Sequence, residues 1–234
     1  MNPVIIIIGG YNSVWAAYLK MARDLEDISG LRAVGVPLIT WHWWQARRTG
    51  DASHLLQKVA ETIAWARRKL QAERFILVGH SAGGLLGRLY LHEGPVWGRT
   101  YAGVEHVTAL ITLGTPHCSG RQVGWFLIDE ANRLTPGAPY ADRLRYRTVA
   151  GRWLRGRPTG SYLEQRAHRT YRFFSGQGET WGDGVIPIES AALAGVDNLV
   201  LDDVAHSRKF SRNWYGSSPA IIRRWWPEGM IHDR

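Results

Sequence analysis

Val4 to Ile8 are five aliphatic residues in a row, and the run stops at Gly9-Gly10. A run without polar alternation predicts a strand buried on both faces. Comparable runs recur in LRAVGVPLI at 31–39, FILVG at 75–79 and HVTALITLG at 106–114. TYRFFSG at 170–176 and NLVLDDV at 198–204 are read as a fifth and a sixth strand. Between the runs the period changes. Val14, Tyr18, Met21, Leu25 and Ile28 recur every three or four residues, one face of a helix that Gly30 can end. Asp51 can cap a second helix, with Leu55, Val59, Ile63, Ala66 and Leu70 along one side. Residues 82–92 place Leu85, Leu86 and Leu89 on an inner face, and a last helix begins near Pro219 and stops at Pro227. Buried strands alternating with amphipathic helices predict an α/β fold, its mostly parallel sheet flanked by helices on both faces. Between 117 and 168 the pattern breaks into a stretch rich in Arg, Pro, Gly and Trp. That stretch is expected to be a lid or cap inserted over the carboxyl edge of the sheet, within a single domain spanning 1–234.

At 234 residues and 45% hydrophobic, the chain can bury one substantial core. No apolar stretch approaches the roughly 20 residues a bilayer span needs. The start, MNPVIIIIGG, lacks a positive n-region and a small-residue cleavage site, so no export signal is expected and cytoplasmic residence is the default. Cys118 is the one cysteine, which excludes an internal disulfide; the HCSG at 117–120 falls far short of a zinc site. Neither a metal nor an organic cofactor is expected. The net charge of +9 is carried almost wholly by arginine and is densest in RLRYRTVAGRWLRGR at 143–157. Such an excess favours anionic partners, and a transient contact with an acidic membrane surface fits it. No nucleic-acid-binding module accompanies the charge, so no specific nucleic-acid partner is expected.

The candidate chemistry lies in FILVGHSAGG at 75–84. Gly79-His80-Ser81-Ala82-Gly83 fits G-x-S-x-G, with a strand entering and an amphipathic helix leaving. That context forces Ser81 onto a sharp turn above the sheet edge. Glycines at 79 and 83 let the strand and helix approach closely. A serine hydroxyl becomes a nucleophile only when a histidine takes its proton, and that histidine needs an orienting carboxylate. His206, in LDDVAHS directly after the last strand, is the candidate base. His232 sits in a terminal tail, and His80 is expected to point away from the site, in a structural or wall role. Asp183, in WGDGVIP, is the candidate acid; Asp202 and Asp203 are rivals close to His206 itself. An oxyanion needs two N–H donors. Ala82 supplies one, and Tyr11, with Gly10 as the near alternative, supplies the other.

Together, GHSAGG at 79–84, TLGTPH at 112–117, GDGVIP at 182–187 and His206-Ser207 resemble the α/β-hydrolase superfamily. Within it they resemble the lipase-like serine esterases of bacteria and plants, which include inositol-deacylase-like members. The resemblance implies an α/β-hydrolase fold and a carboxylic ester hydrolase. It places Thr115, Pro116 and His117 beside the site, supporting the turn. It departs from many lipases in having Gly9-Gly10 where they carry His-Gly. The same triad serves an acyltransferase or thioesterase, and a hydrolase scaffold can also serve as a non-catalytic binding protein.

The tryptophans bear on the substrate. Trp41, Trp43 and Trp44 follow the second strand at the carboxyl edge, and Trp125 and Trp181 lie in or beside the irregular stretch. Aromatics so placed can line an acyl or alcohol pocket or sit at a lipid–water boundary. The expected substrate is therefore a small-molecule or lipid ester with a sizeable apolar part.

Overall fold

Alternate side chains of the first strand enter two different cores. Ile5 and Ile7 join Met21, Leu25, Trp214 and Trp225 on one face, while Val4, Ile6 and Ile8 join Leu55, Val59, Leu85 and Leu89 on the other. All five are buried, and each contributes roughly 2 kcal/mol of apolar burial. In the computed structural model, which describes residues 3–118 and 122–227, this strand lies in a six-stranded sheet. The sheet strands are β1 (Val4–Ile8), β2 (Ala33–Gly35), β3 (Phe75–His80), β4 (Val107–Leu113), β5 (Arg145–Arg152) and β6 (Asp197–Asp202). Their order is β6-β5-β4-β3-β1-β2, every pair parallel. Helices α1 (Leu19–Ser29), α2 (Thr40–Thr49), α3 (Ser53–Leu70) and α4 (Ala82–Leu91) follow the first three strands. After β4 come α5 (Phe126–Leu134), α6 (Tyr162–Ser175), the short α7 (Ile188–Ala191) and α8 (Pro219–Trp225). Helices α1 and α8 pack together on one face of the sheet, and α3, α4 and α5 cover the other. Residues 1–2 of the N-terminal stretch, Ser119 and Gly120 of HCSG, and His232 lie outside the described residues. Among the described residues, no helix is long and apolar enough to cross a membrane.

Two expectations are corrected. The stretch at 170–176 is the end of α6, not a strand. Ser161 and Glu164 form a reciprocal capping box at its start, Ala167 and Tyr171 bury one stripe, and Gly176 ends it in the left-handed conformation. Phe173, which made the segment look like a buried strand, is exposed. The fifth strand is instead β5, inside the stretch read as an insertion. Its arginines disguised it: Arg147 turns outward to Asp197 and to the Trp225 carbonyl, while Thr148, Val149 and Ala150 are buried. The 117–168 stretch is therefore not a lid throughout, since it supplies a central strand and α5, which packs on α4.

Candidate active site

The strand order fixes where a site can form. Strands β1 and β3 are parallel neighbours, with Ile8 opposite Gly79. From β1 the chain goes on to β2 on one side, and from β3 to β4 on the other. The two loops diverge at the carboxyl ends, which is the switch point of an open α/β sheet, where such sheets place their sites. Gly10 follows β1 at this point and Ser81 follows β3. A Cβ on Gly10 would lie 2.8 Å from the Ser81 Cβ.

Ser81 has φ 54° and ψ −126°, a conformation that costs a non-glycine residue roughly 1–3 kcal/mol. Three backbone hydrogen-bond contacts hold it there. The Ser81 N–H donates to the Leu113 carbonyl (2.8 Å). The Ser81 carbonyl accepts from Thr115 Oγ1 (2.8 Å) and from the Gly84 N–H (3.0 Å). Gly83 is required by close approach, because a Cβ there would overlap the Ile8 carbonyl oxygen of β1. Ala82 opens α4, in the helical turn whose N–H groups have no partner within the helix.

Asp183 and His206 come from two other loops and meet in a buried pair, His206 Nδ1 to Asp183 Oδ2 at 2.7 Å. The Asp183 carboxylate accepts from four donors in all. Tyr215 Oη donates to Oδ2 (2.9 Å), and the Val185 and Ile186 N–H groups donate to Oδ1 (3.0 and 2.7 Å). Its backbone carbonyl accepts from the His206 N–H (2.8 Å), so the acid loop fixes both ends of the histidine. A carboxylate can only accept, so His206 Nδ1 carries the proton and Nε2 presents a lone pair. Burial, then the neighbouring Asp183 charge, pushes the Tyr215 hydroxyl well above its ordinary pKa, keeping it a donor. Tyr171 steadies the loop by accepting from the Gly184 N–H (2.8 Å). The rival Asp202 is on the exposed sheet edge, paired with Arg152.

His80 does not point away from this assembly. Successive β3 side chains alternate between faces, and His80 falls on the α1/α8 face, where the His206 loop comes down over the strand end. Its ring lies 4.9 Å from the His206 ring, and its Nε2 contacts the His206 carbonyl oxygen at 2.8 Å. Burial, followed by the nearby His206, pulls its pKa down to about 3, so the ring is neutral. The carbonyl only accepts; Nε2 therefore donates and Nδ1 accepts from the Tyr18 hydroxyl (2.8 Å). Tyr18 Oη in turn accepts from the Gly10 N–H (3.0 Å). One polar chain thus ties the β1 loop, the serine turn and the histidine loop together. It also commits the Gly10 N–H, leaving Tyr11 as the next amide along the loop.

His117 is fully buried under the turn. Arg88 Nη1 can only donate, so His117 Nδ1 accepts from it (3.3 Å) and Nε2 donates to Thr112 Oγ1 (3.0 Å). The His117 N–H reaches the Ser190 carbonyl at 2.7 Å. Thr115 holds Ser81 directly, as described, and Pro116 is buried between the two. Sequence reasoning missed Tyr18 and Tyr215 as polar parts of the site. Tyr18 did appear there, but only as an apolar position on a helix.

A family model described as alpha/beta hydrolase fold matches residues 2–133, more than half of the chain. The chain belongs to the α/β-hydrolase family. No curated protein matches this hydrolase. Several solved structures share its fold. Phospholipase PlaB from Legionella pneumophila is 12% identical with a TM-score of 0.56, covering 97% of this hydrolase and 61% of that chain. Est1E from Butyrivibrio proteoclasticus, solved with ferulic acid bound, is 14% identical with a TM-score of 0.52, covering 87% and 81%. The lin2722 product of Listeria innocua is 13% identical with a TM-score of 0.52, covering 97% and 93%.

The aromatic residues of the hydrolase separate into two groups. The Tyr11 ring sits edge-on to Trp43 (5.9 Å) and Trp125 (6.0 Å), so these three line the β1 loop. Trp41 and Trp44 stack on each other at 5.0 Å on the outer side of α2, 59% and 49% exposed, with Arg48 over Trp44. Trp181 is apart from both groups, exposed on a two-residue strand paired with Leu154–Arg155.

Proposed function

We propose that this hydrolase cleaves carboxylic esters through an acyl-enzyme on Ser81, with His206 as general base and Asp183 as its orienting acid. The observation that carries the proposal is the buried Asp183–His206 pair, held by His80 at the residue next to a serine in a strained turn. His206 Nε2 takes the Ser81 hydroxyl proton as Oγ attacks the ester carbonyl. The charge that forms on the carbonyl oxygen is met by the Ala82 and Tyr11 N–H groups, with the Ala82 amide at the positive end of α4. Collapse breaks the ester C–O bond, and His206 returns the proton to the leaving alcohol. Water, deprotonated by His206, then cleaves the acyl-serine, and His206 returns the proton to Ser81 Oγ, releasing the carboxylic acid.

The substrate we propose is an ester with a sizeable apolar part. Trp43 and Trp125 flank Tyr11, and so give the oxyanion loop apolar walls. The exposed Trp41–Trp44 pair with Arg47 and Arg48 on the same short helix fits a transient contact with an anionic lipid surface. Hydrolysis of p-nitrophenyl esters of increasing chain length tests the reading. Octanoyl esters are expected to be cleaved at least as well as acetyl esters, with Ser81→Ala inactive on both. A sharp preference for acetyl contradicts the substrate class, and an active Ser81→Ala variant contradicts the mechanism.

A further inference from the structure

A pocket of about 520 Å³ opens at the opposite, amino edge of the sheet. Its position follows from its lining: His106 immediately precedes β4, and its carbonyl accepts from the Phe75 N–H at the start of β3. The six residues of β3 separate it from Ser81 by roughly 20 Å. One wall is a stripe of α3, with Gln57, Ala60 and Arg67; facing it are Tyr90, Arg99 and Tyr101. The volume falls in the range of small-molecule sites.

Its charge is one-sided. The lining holds two guanidinium groups and no carboxylate. Among the described residues, neither Arg67 nor Arg99 has an ion-pair partner. Arg99 is pre-ordered. It follows a tight hairpin turn in which Trp97 and Gly98 both have positive φ (46° and 78°), and its Nη1 donates to Gln57 Oε1 (2.9 Å). The same guanidinium also bonds the Tyr101 hydroxyl, which leaves further N–H donors of its five for a ligand. Arg67 lies over the Phe75 ring at 5.7 Å. Glu61, the nearby acid on α3, is already bonded by Lys58 and Gln57. The Tyr101 hydroxyl donates to the Ser53 carbonyl (3.2 Å), and burial raises its pKa while Arg99 beside it lowers it. The Tyr90 and Tyr101 rings, 5.7 Å apart, and the α3 alanines give the pocket an apolar side.

We propose that this pocket is a second binding site, for a small phosphate monoester that carries a planar apolar group. The phosphate would bridge Arg67 and Arg99, whose planar forks suit its oxygens, and the ring would lie against Tyr90 and Tyr101. His106 provides the reporter. It bonds Tyr90 Oη through Nε2 (3.0 Å), and burial, then Arg67 and Arg74, pull its pKa down to about 4. An anion between the arginines removes part of that positive field and raises the value.

The test is a titration of the whole protein with phenyl phosphate, inorganic phosphate and phenol, read by the His106 ring resonances. Phenyl phosphate is expected to saturate with a Kd below about 1 mM and to raise the His106 pKa by about one unit. Inorganic phosphate is expected to bind at least about tenfold more weakly, and phenol not to shift the resonance. Arg67→Gln and Arg99→Gln, both at exposed positions, should each weaken phenyl phosphate at least about tenfold while ester hydrolysis is unchanged. No saturable shift at about 10 mM phenyl phosphate, equal affinity for inorganic phosphate, or unchanged binding in the double variant overturns the proposal. The titration does not depend on Ser81, so its failure and a failure of the proposed ester chemistry are distinguishable.

Discussion

Replacing Asp183 with asparagine keeps the shape of the side chain and reverses two of its hydrogen bonds. The Val185 and Ile186 N–H groups hold Oδ1 at 3.0 and 2.7 Å, so the amide oxygen of the variant must stay on that side. The NH₂ group then faces His206 Nδ1 and the Tyr215 hydroxyl, which Oδ2 meets in the native protein at 2.7 and 2.9 Å. The hydroxyl can turn and accept. Nδ1 must accept as well, which moves the ring proton to Nε2 and removes the lone pair that the proposed mechanism uses to take the Ser81 proton. The loss expected from a wrong tautomer is about 10⁴ in kcat, or about 5.4 kcal/mol in the barrier. The cost in stability should be smaller, about 1–3 kcal/mol, because the buried Tyr215 O–H loses its acceptor while the Val185 and Ile186 N–H groups keep theirs. That corresponds to a fall in Tm of several degrees for a chain of this size. Steady-state hydrolysis of p-nitrophenyl butyrate and a thermal melt of the same samples measure both quantities. Retention of kcat within tenfold in a well-folded Asp183→Asn protein would refute the role given to this carboxylate.

Tyr18→Phe cuts the chain from the Gly10 N–H through His80 to the His206 carbonyl, and kcat should fall about tenfold with KM little changed. Gly83→Ala should cost at least about 2 kcal/mol in a denaturant melt, since its Cβ would meet the Ile8 carbonyl. His80 and His117 are held neutral by burial, with folded pKa values of about 3 and well below 6.5 respectively. The unfolded chain binds these protons below pH 6.5 and the folded chain does not. Stability should therefore be unaffected by these two histidines above that value and be lost as the pH falls towards 3, by about 1.4 kcal/mol per pH unit for each. Urea melts between pH 7 and 4 should show the slope, and His117→Gln should flatten it.

How much of this could be seen in the sequence varies with the kind of interaction involved. β1, β3 and β4 were legible because their faces are buried and most of their side chains are apolar. β5 was not, because its arginines place their charge outside the sheet while their neighbours fill it. The end of α6 was misread because a run of aromatics masked the Ser161–Glu164 capping box. The turn at Ser81 could be read from the glycines around it and the His206 loop from the strand before it, whereas Asp183 was picked out by its small neighbours although the strand taken to precede it is the end of α6. The structure brings that acid and histidine together. Tyr18 and Tyr215 were hidden, since the partner of a tyrosine hydroxyl is set by chain segments far away in sequence. His80 was misjudged because alternation puts it on the other face from the strand positions 75, 77 and 79, and that face is where the His206 loop arrives.

The central claim is that Ser81 is the nucleophile, and labelling with a fluorophosphonate followed by peptide mapping tests it most directly. The account predicts one adduct, on the peptide containing Ser81, formed rapidly in the native protein and absent from a folded Ser81→Ala variant. An unlabelled native protein, or equal labelling of the two, would contradict it.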